Sequence, residues 1–178
     1  MILSDSKIQE AMNKGLIKIE PFSASCLGSN SYDVHLGSIL GLYKDSILDA
    51  KKHNTIEFFS IPESGYVLQP TEFYLGVTQE YTETLAHVPF LEGKSSVGRL
   101  GIDIHATAGK GDVGFCNYWT LEISVKKPVR IYAAMPIGQL IYFEVSGEVN
   151  TSYNVKGTAK YNQVISQPVE SMMWKNSF

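Results

Sequence analysis

The sequence predicts an all-β protein, a sandwich or a barrel, preceded by one short helix. From Leu16 onward, short runs rich in Ile, Val, Tyr, Phe and Thr are separated by clusters of Gly, Pro, Asn and Asp. Many short strands with closely spaced turn signals mark a closed or two-layered antiparallel fold. The one clear helical periodicity lies at the amino terminus. Ser4 can cap a helix running to about Asn13, with Ile8, Ala11 and Met12 on one face and Gly15 to end it.

Strands are then expected at Leu16–Ile19, Tyr32–Leu36, Ile39–Tyr43, Thr55–Phe59, Tyr66–Leu68 and Phe73–Thr78. They continue at Ile102–Ala106, Trp119–Val125, Val129–Tyr132 and Gly138–Val145. Ser95–Leu100 breaks the pattern: its paired serines and glycines suit a single helical turn. With 178 residues the chain suffices for one core and is short for two, so a single domain spanning 1–178 is expected. Residues 147–178 form a polar C-terminal tail, read either as frayed or as folding over a ligand to exclude water.

A composition of 44% hydrophobic and 19% charged residues excludes a disordered chain. A net charge of −3 argues against a nucleic-acid partner but leaves room for a small anion bound by local cations. Cys26 and Cys116 lie far apart and read as free thiols of a reducing compartment. No apolar run reaches the roughly twenty residues that a membrane span needs. Met1–Asp5 lacks the basic and apolar regions of a secretory signal, so no membrane contact and a cytoplasmic location are expected.

The densest chemistry lies at Gly93-Lys94-Ser95-Ser96-Val97-Gly98-Arg99. Arg offers a planar fork to phosphate oxygens, Lys a point charge and the serines neutral hydrogen bonds. A solvated surface turn has the same composition. Glu122 is the sharper signal, because it interrupts an alternating strand: Leu121, Ile123 and Val125 share one face, Thr120, Glu122 and Ser124 the other. That polar face is either solvated or lines a pocket, where a carboxylate accepts a proton from water and returns it to a leaving group. The His-x-Glu and Pro-Cys-x-x-Cys of zinc deaminases are missing, as is a Walker loop. No zinc and no protein metal ligands are expected; His105 stands out only for lying between the two candidate site segments.

Taken in order, Glu92–Gly101, His105–Gly109, Gly111–Phe115 and Trp119–Glu122 resemble the dCTP deaminase family, the zinc-free branch of the dUTPase-like superfamily. Ile2–Asp5 and Tyr153-Asn154 with Ala159-Lys160-Tyr161 extend the likeness over nearly the whole chain. The resemblance implies a distorted jelly-roll β-barrel assembling as a homotrimer with sites shared between subunits. It implies Mg²⁺ carried by the nucleotide phosphates and dTTP as a candidate inhibitor. The activity implied is hydrolytic deamination of dCTP to dUTP and ammonia, supplying dUMP and dTTP precursors.

Carried over by residue, the resemblance makes Glu122 the proton donor and acceptor. Ser95 and the Ala108 carbonyl would hold the attacking water, with Arg99 steadying developing charge. Lys94, Ser96 and Arg99 would engage the phosphates and Asp112 the deoxyribose. Main-chain groups of Thr120, Leu121 and Glu122 would read the cytosine edge. Tyr153, Lys160 and Gln163 would belong to the closing tail. The family often has Arg where Lys94 stands, and its tail glutamine usually comes four residues after the lysine, whereas Gln163 comes three after Lys160.

Two further readings compete. Ala108-Gly109 resembles bifunctional members that go on to dUMP and pyrophosphate, with Asp112 orienting a second water. A non-catalytic nucleotide sensor would keep the barrel but has no need of Glu122; a plain dUTPase has little use for it either.

Overall fold

Helix α1 (Asp5–Asn13) begins and ends on local chemistry. The Ser4 hydroxyl accepts from the Lys7 amide at 3.4 Å, and Ile8 and Ala11 point into the core. Gly15, at φ +69°, closes it: Leu16 N–H reaches Ala11 O and Gly15 N–H reaches Met12 O, a Schellman pair. The computed structural model describes all residues, 1–178.

Eleven antiparallel strands follow in three sheets. The largest contains β1 (Ile17–Glu20), β3 (Ile39–Tyr43), β4 (Ile56–Ser60), β6 (Tyr74–Thr84), β8 (Ile102–Asp103) and β9 (Phe115–Val125). Its order is β4-β3-β6-β9-β8, with β1 also pairing β6. A second sheet orders β2 (Tyr32–His35), β11 (Pro136–Glu144) and β7 (His87–Gly93). β5 (Tyr66–Leu68) and β10 (Val129–Ile131) form a two-stranded ribbon. Together they wrap one contiguous apolar core as a distorted jelly-roll barrel, in which Leu40, Leu68, Leu121, Ile123, Ile137 and Leu140 are fully buried. No helix is long and apolar enough to cross a membrane.

Three departures from the expected elements have physical reasons. β7 is absent from the expected strands because Pro89 sits in its middle, and Pro removes a ladder donor. The structure tolerates it because β7 is the last strand of its sheet and needs no ladder donor at Pro89. Loop 109–111 runs along its outer side, with Gly111 N–H donating to Pro89 O at 2.8 Å and Leu91 N–H to Gly109 O at 2.7 Å. β8 stops at Asp103 rather than Ala106, since the chain turns away after Ile104 accepts from the Glu122 amide at 2.9 Å.

β6 and β9 are both longer than expected and hide a bulge between Val77 and Tyr81. There the Thr78 hydroxyl replaces the broken ladder, accepting from Trp119 N–H and donating to Glu80 O, each at 2.9 Å. Glu80, 3% exposed, is satisfied by His35 through its ring Nδ1 at 2.6 Å and its amide at 2.9 Å. The indole of Trp119 is pinned in turn by the Thr82 hydroxyl at 2.9 Å.

Candidate active site

Beside β9 lies a cavity of about 380 Å³, bounded by loop 108–112 and by the C-terminal tail. That volume falls within the range of small-molecule sites. Leu75, Phe115 and Trp119 give it an apolar wall, with the Phe115 ring tilted against Trp119 at 4.7 Å and against Tyr153 at 6.0 Å, centroid to centroid. Strand alternation explains the rest: Leu121, Ile123 and Val125 go to the core, while Thr120 and Glu122 line the cavity.

Glu122 is held at one end only. Its Oε2 accepts from the Ala106 amide at 2.7 Å, and its Oε1 has no hydrogen-bond partner. The main chain of Glu122 is itself occupied, because its N–H donates to Ile104 O. A half-buried carboxylate with one fixed and one free oxygen can exchange a proton with something in the cavity.

The loop carrying Ala108 and Asp112 is shaped by glycine. A Cβ on Gly109 would lie 2.6 Å from the Leu91 carbonyl and 3.2 Å from His105 Nε2. Gly111 is as tight, 2.7 Å from the Trp119 ring. Side chains at these positions would push the loop off β7 and out of line with Glu122.

The tail is docked rather than frayed. Tyr153 N–H donates to Val113 O at 2.7 Å, an approach that Gly114 at φ +90° leaves open. Val169 N–H donates to the Thr120 hydroxyl at 3.1 Å, and Ser171 N–H to the Tyr43 hydroxyl at 3.0 Å. Glu170 also faces the cavity and accepts from His53 Nε2 at 2.9 Å. Burial pushes the Tyr43 phenol above its ordinary pKa, so it remains a neutral hydroxyl.

The charge of this cavity is unbalanced. Asp112, Glu122 and Glu170 line it, against one ammonium, Lys110, that already sits 2.6 Å from Asp112. The expected phosphate-binding cations are elsewhere. α2 (Ser95–Gly98) follows β7, anchored by Val97 in the core, and presents Ser95, Ser96 and Arg99 to solvent. Arg99 forms no ion pair, whereas Lys94 is bound to Asp33.

The structure therefore brings Glu122, Thr120, Ala108, Asp112 and Tyr153 together around one cavity. Lys94, Ser95, Ser96 and Arg99 do not line it, and neither do Lys160 and Gln163. Lys160 donates to Asn176 Oδ1, and Gln163 contributes its carbonyl to Asn117. Leu121 is fully buried, so only its main chain is near the site.

Sequence reasoning missed Tyr43, Phe73, Asn117, Tyr161 and Val169–Ser171 as cavity residues. Asn117 carried a readable signal: an asparagine in the register of Trp119, Leu121, Ile123 and Val125, the buried face of the strand. No group of three or more His, Cys, Asp or Glu side chains is placed to hold a metal ion.

A β-barrel holding a partly sheltered carboxylate in a ligand-sized cavity is the class of protein defined by these features. Residues 2–145 match the family model described as dCTP deaminase-like, and the chain belongs to that family. It is 46% identical over 177 residues to a protein of Clostridium acetobutylicum named "dCTP deaminase, dUMP-forming", covering 99% of this chain and 98% of the other. A Leptospira biflexa protein of the same name is 45% identical over 176 residues, covering 99% and 98%. The fold matches the crystal structure of 2'-deoxycytidine 5'-triphosphate deaminase from Agrobacterium tumefaciens with a TM-score of 0.62 at 21% identity. That match covers 79% of this chain and 47% of the solved one, so this chain spans about half of it.

Proposed function

We propose that the protein deaminates dCTP by hydrolysis and carries the nucleotide on to dUMP and pyrophosphate. The observation that carries the first step is Glu122, fixed through Oε2 and open through Oε1 toward a cavity large enough for a small ligand. Glu122 takes a proton from a water as its oxygen bonds to C4 of the cytosine. The carboxyl then delivers one proton to the ring nitrogen N3. The proton of the new C4 hydroxyl passes next, through Glu122, to the exocyclic amine, the C4–N bond breaks, ammonia leaves and the C4 carbonyl forms. Positioning and preorganised charge supply most of the rate gain.

The second step is favoured by the relatives, which are named dUMP-forming, and this reading replaces the expectation that dUTP is the final product. Water adds to the α-phosphorus, the bond to the bridging oxygen breaks and pyrophosphate departs. Asp112 is the carboxylate near loop 108–112 that would orient this water, and the tight Gly109 keeps the loop close to β7. Bound through the phosphates, Mg²⁺ would supply charge neutralisation there.

The acidic cavity cannot hold a triphosphate on its own, because three carboxylates face one already paired lysine. We assign the missing positive charge to the exposed Ser95–Ser96–Arg99 turn of a neighbouring copy, in a homotrimer with shared sites. Leu100, 56% exposed beside Arg99, suits burial against that neighbour. In this arrangement Ser95 and the Ala108 carbonyl hold the water, Tyr153, Lys160 and Gln163 close over the nucleotide, and the protein works in the cytoplasm.

Incubation with dCTP and Mg²⁺ tests the reading. Ammonia and pyrophosphate should appear in equal amounts. Accumulating dUTP would restore the single-step reading, and tight dCTP binding without ammonia would make the protein a sensor. Adding dTTP to the same assay tests inhibition.

A further inference from the structure

We infer that Asn117 is a positioning residue that docks the C-terminal tail beside the active site by acting as a substitute strand edge. Its side chain is buried, with the residue 3% exposed, and its amide is fully used. Nδ2 donates to Tyr161 O at 3.1 Å and to Gln163 O at 2.8 Å. Oδ1 accepts from Ile165 N–H at 3.1 Å and from Tyr118 N–H at 2.9 Å. An asparagine amide offers two donors and an acceptor oxygen with two lone pairs, so all four bonds it can make are made. Three of them reach alternate residues of the tail, the spacing at which a neighbouring strand would present its bonding groups.

One side chain thus does what a β-ladder would do, and the tail's own sequence is freed from forming a strand. The tail segment it holds includes Tyr161, which lines the cavity and whose hydroxyl accepts from Met172 N–H at 3.0 Å. Farther along, Val169 is held by Thr120, Ser171 by Tyr43 and Glu170 by His53. Trp174 packs edge-on against His53 at 6.0 Å. The tail therefore has two anchorages. The second has barrel contacts of its own through Val169 and Ser171, while Met172 is tied to the first through the Tyr161 hydroxyl, so Asn117 acts directly on the first and on Met172.

This division gives a test that global destabilisation would not mimic. In Asn117→Ala, the Ile165 amide should exchange with solvent at least tenfold faster than in the wild type, while the Val169 and Ser171 amides, bonded to the Thr120 and Tyr43 hydroxyls of the barrel, keep their protection. Ile165→Pro, which deletes the tail's donor without touching the barrel, should loosen 161–165 in the same way. Unchanged exchange near Ile165 in Asn117→Ala, or equal loosening at Ile165 and at Val169 and Ser171, would overturn the assignment. These readouts need no nucleotide and stand whatever the substrate is.

The second arm rests on the proposed deaminase function. Because the segment it holds includes Tyr161, which lines the cavity, KM for dCTP should rise on the order of tenfold in Asn117→Ala, the loss of one to two hydrogen bonds' worth of binding. The fall in kcat should stay within about threefold. Asn117→Asp keeps the shape but turns both donors into acceptors facing carbonyls, and should raise KM at least as much. A wild-type KM in both variants would refute the link from Asn117 to substrate.

Discussion

The β9 cavity and the α2 turn have opposite defects. The cavity has shape, shelter and a poised carboxylate but is lined by three acids and one paired base. The turn has hydroxyls and an unpaired guanidinium but is open to solvent. In the proposed shared site each supplies what the other lacks. Its chemistry and its anion affinity should then be separable by mutation.

The largest effect should come from Glu122→Gln. Removing the proton acceptor should lower ammonia release by about a thousandfold, while equilibrium dCTP binding stays within a few-fold. Turnover near wild type would end the catalytic role of this residue. Arg99→Ala should instead lose affinity, through the charge-assisted contacts to phosphate.

Mixing sharpens the contrast. If Glu122 and Arg99 of one site come from different subunits, co-refolding the two inactive variants in equal amounts should restore about a quarter of the sites. If both come from the same chain, mixing restores nothing.

Gly109→Ala comes next in size. Its Cβ would lie 2.6 Å from a backbone carbonyl, so loop 105–112 must shift, at a cost of about 1–3 kcal/mol. Thermal melting should register the loss, and deamination should fall as the Ala106–Glu122 bond lengthens. An unaltered melt and rate would show that the loop is freer than its packing suggests.

The smallest effect concerns neither half of the site. Burial lowers the pKa of His87, whose Nδ1 is enclosed without a partner. The neutral ring therefore contributes stability that is fully present above its ordinary value of about 6.5 and lost as pH falls through the lower folded value. The melting temperature should drop between pH 7 and pH 5, and less steeply in His87→Gln; identical slopes would remove His87 as a source.

Much of this was legible in residue order. Ser4 and Gly15 delimited α1, β-branched runs located ten strands, and the lone acid among Leu121, Ile123 and Val125 pointed to the cavity. Local signals failed where a distant partner decides the outcome. Pro89 hid β7 because its acceptability depends on being an edge strand bonded by Gly111. The Thr78–Glu80 bulge depends on His35 and Trp119, which are far away in sequence. Asn117 acquires its role only when the tail, more than forty residues later, folds back onto it. Lys94 was expected to meet phosphate from its neighbours in the sequence, whereas Asp33 on β2 claims it.

The acid excess around Glu122 has a kinetic consequence. On the proposed shared site, a subunit whose cavity repels its own substrate until a neighbour docks is inert when isolated. Specific activity should then decline on dilution, following the dissociation of subunits and not the stability of the barrel. At nanomolar concentrations the chain would be folded, surrounded by nucleotide that it does not bind, and silent.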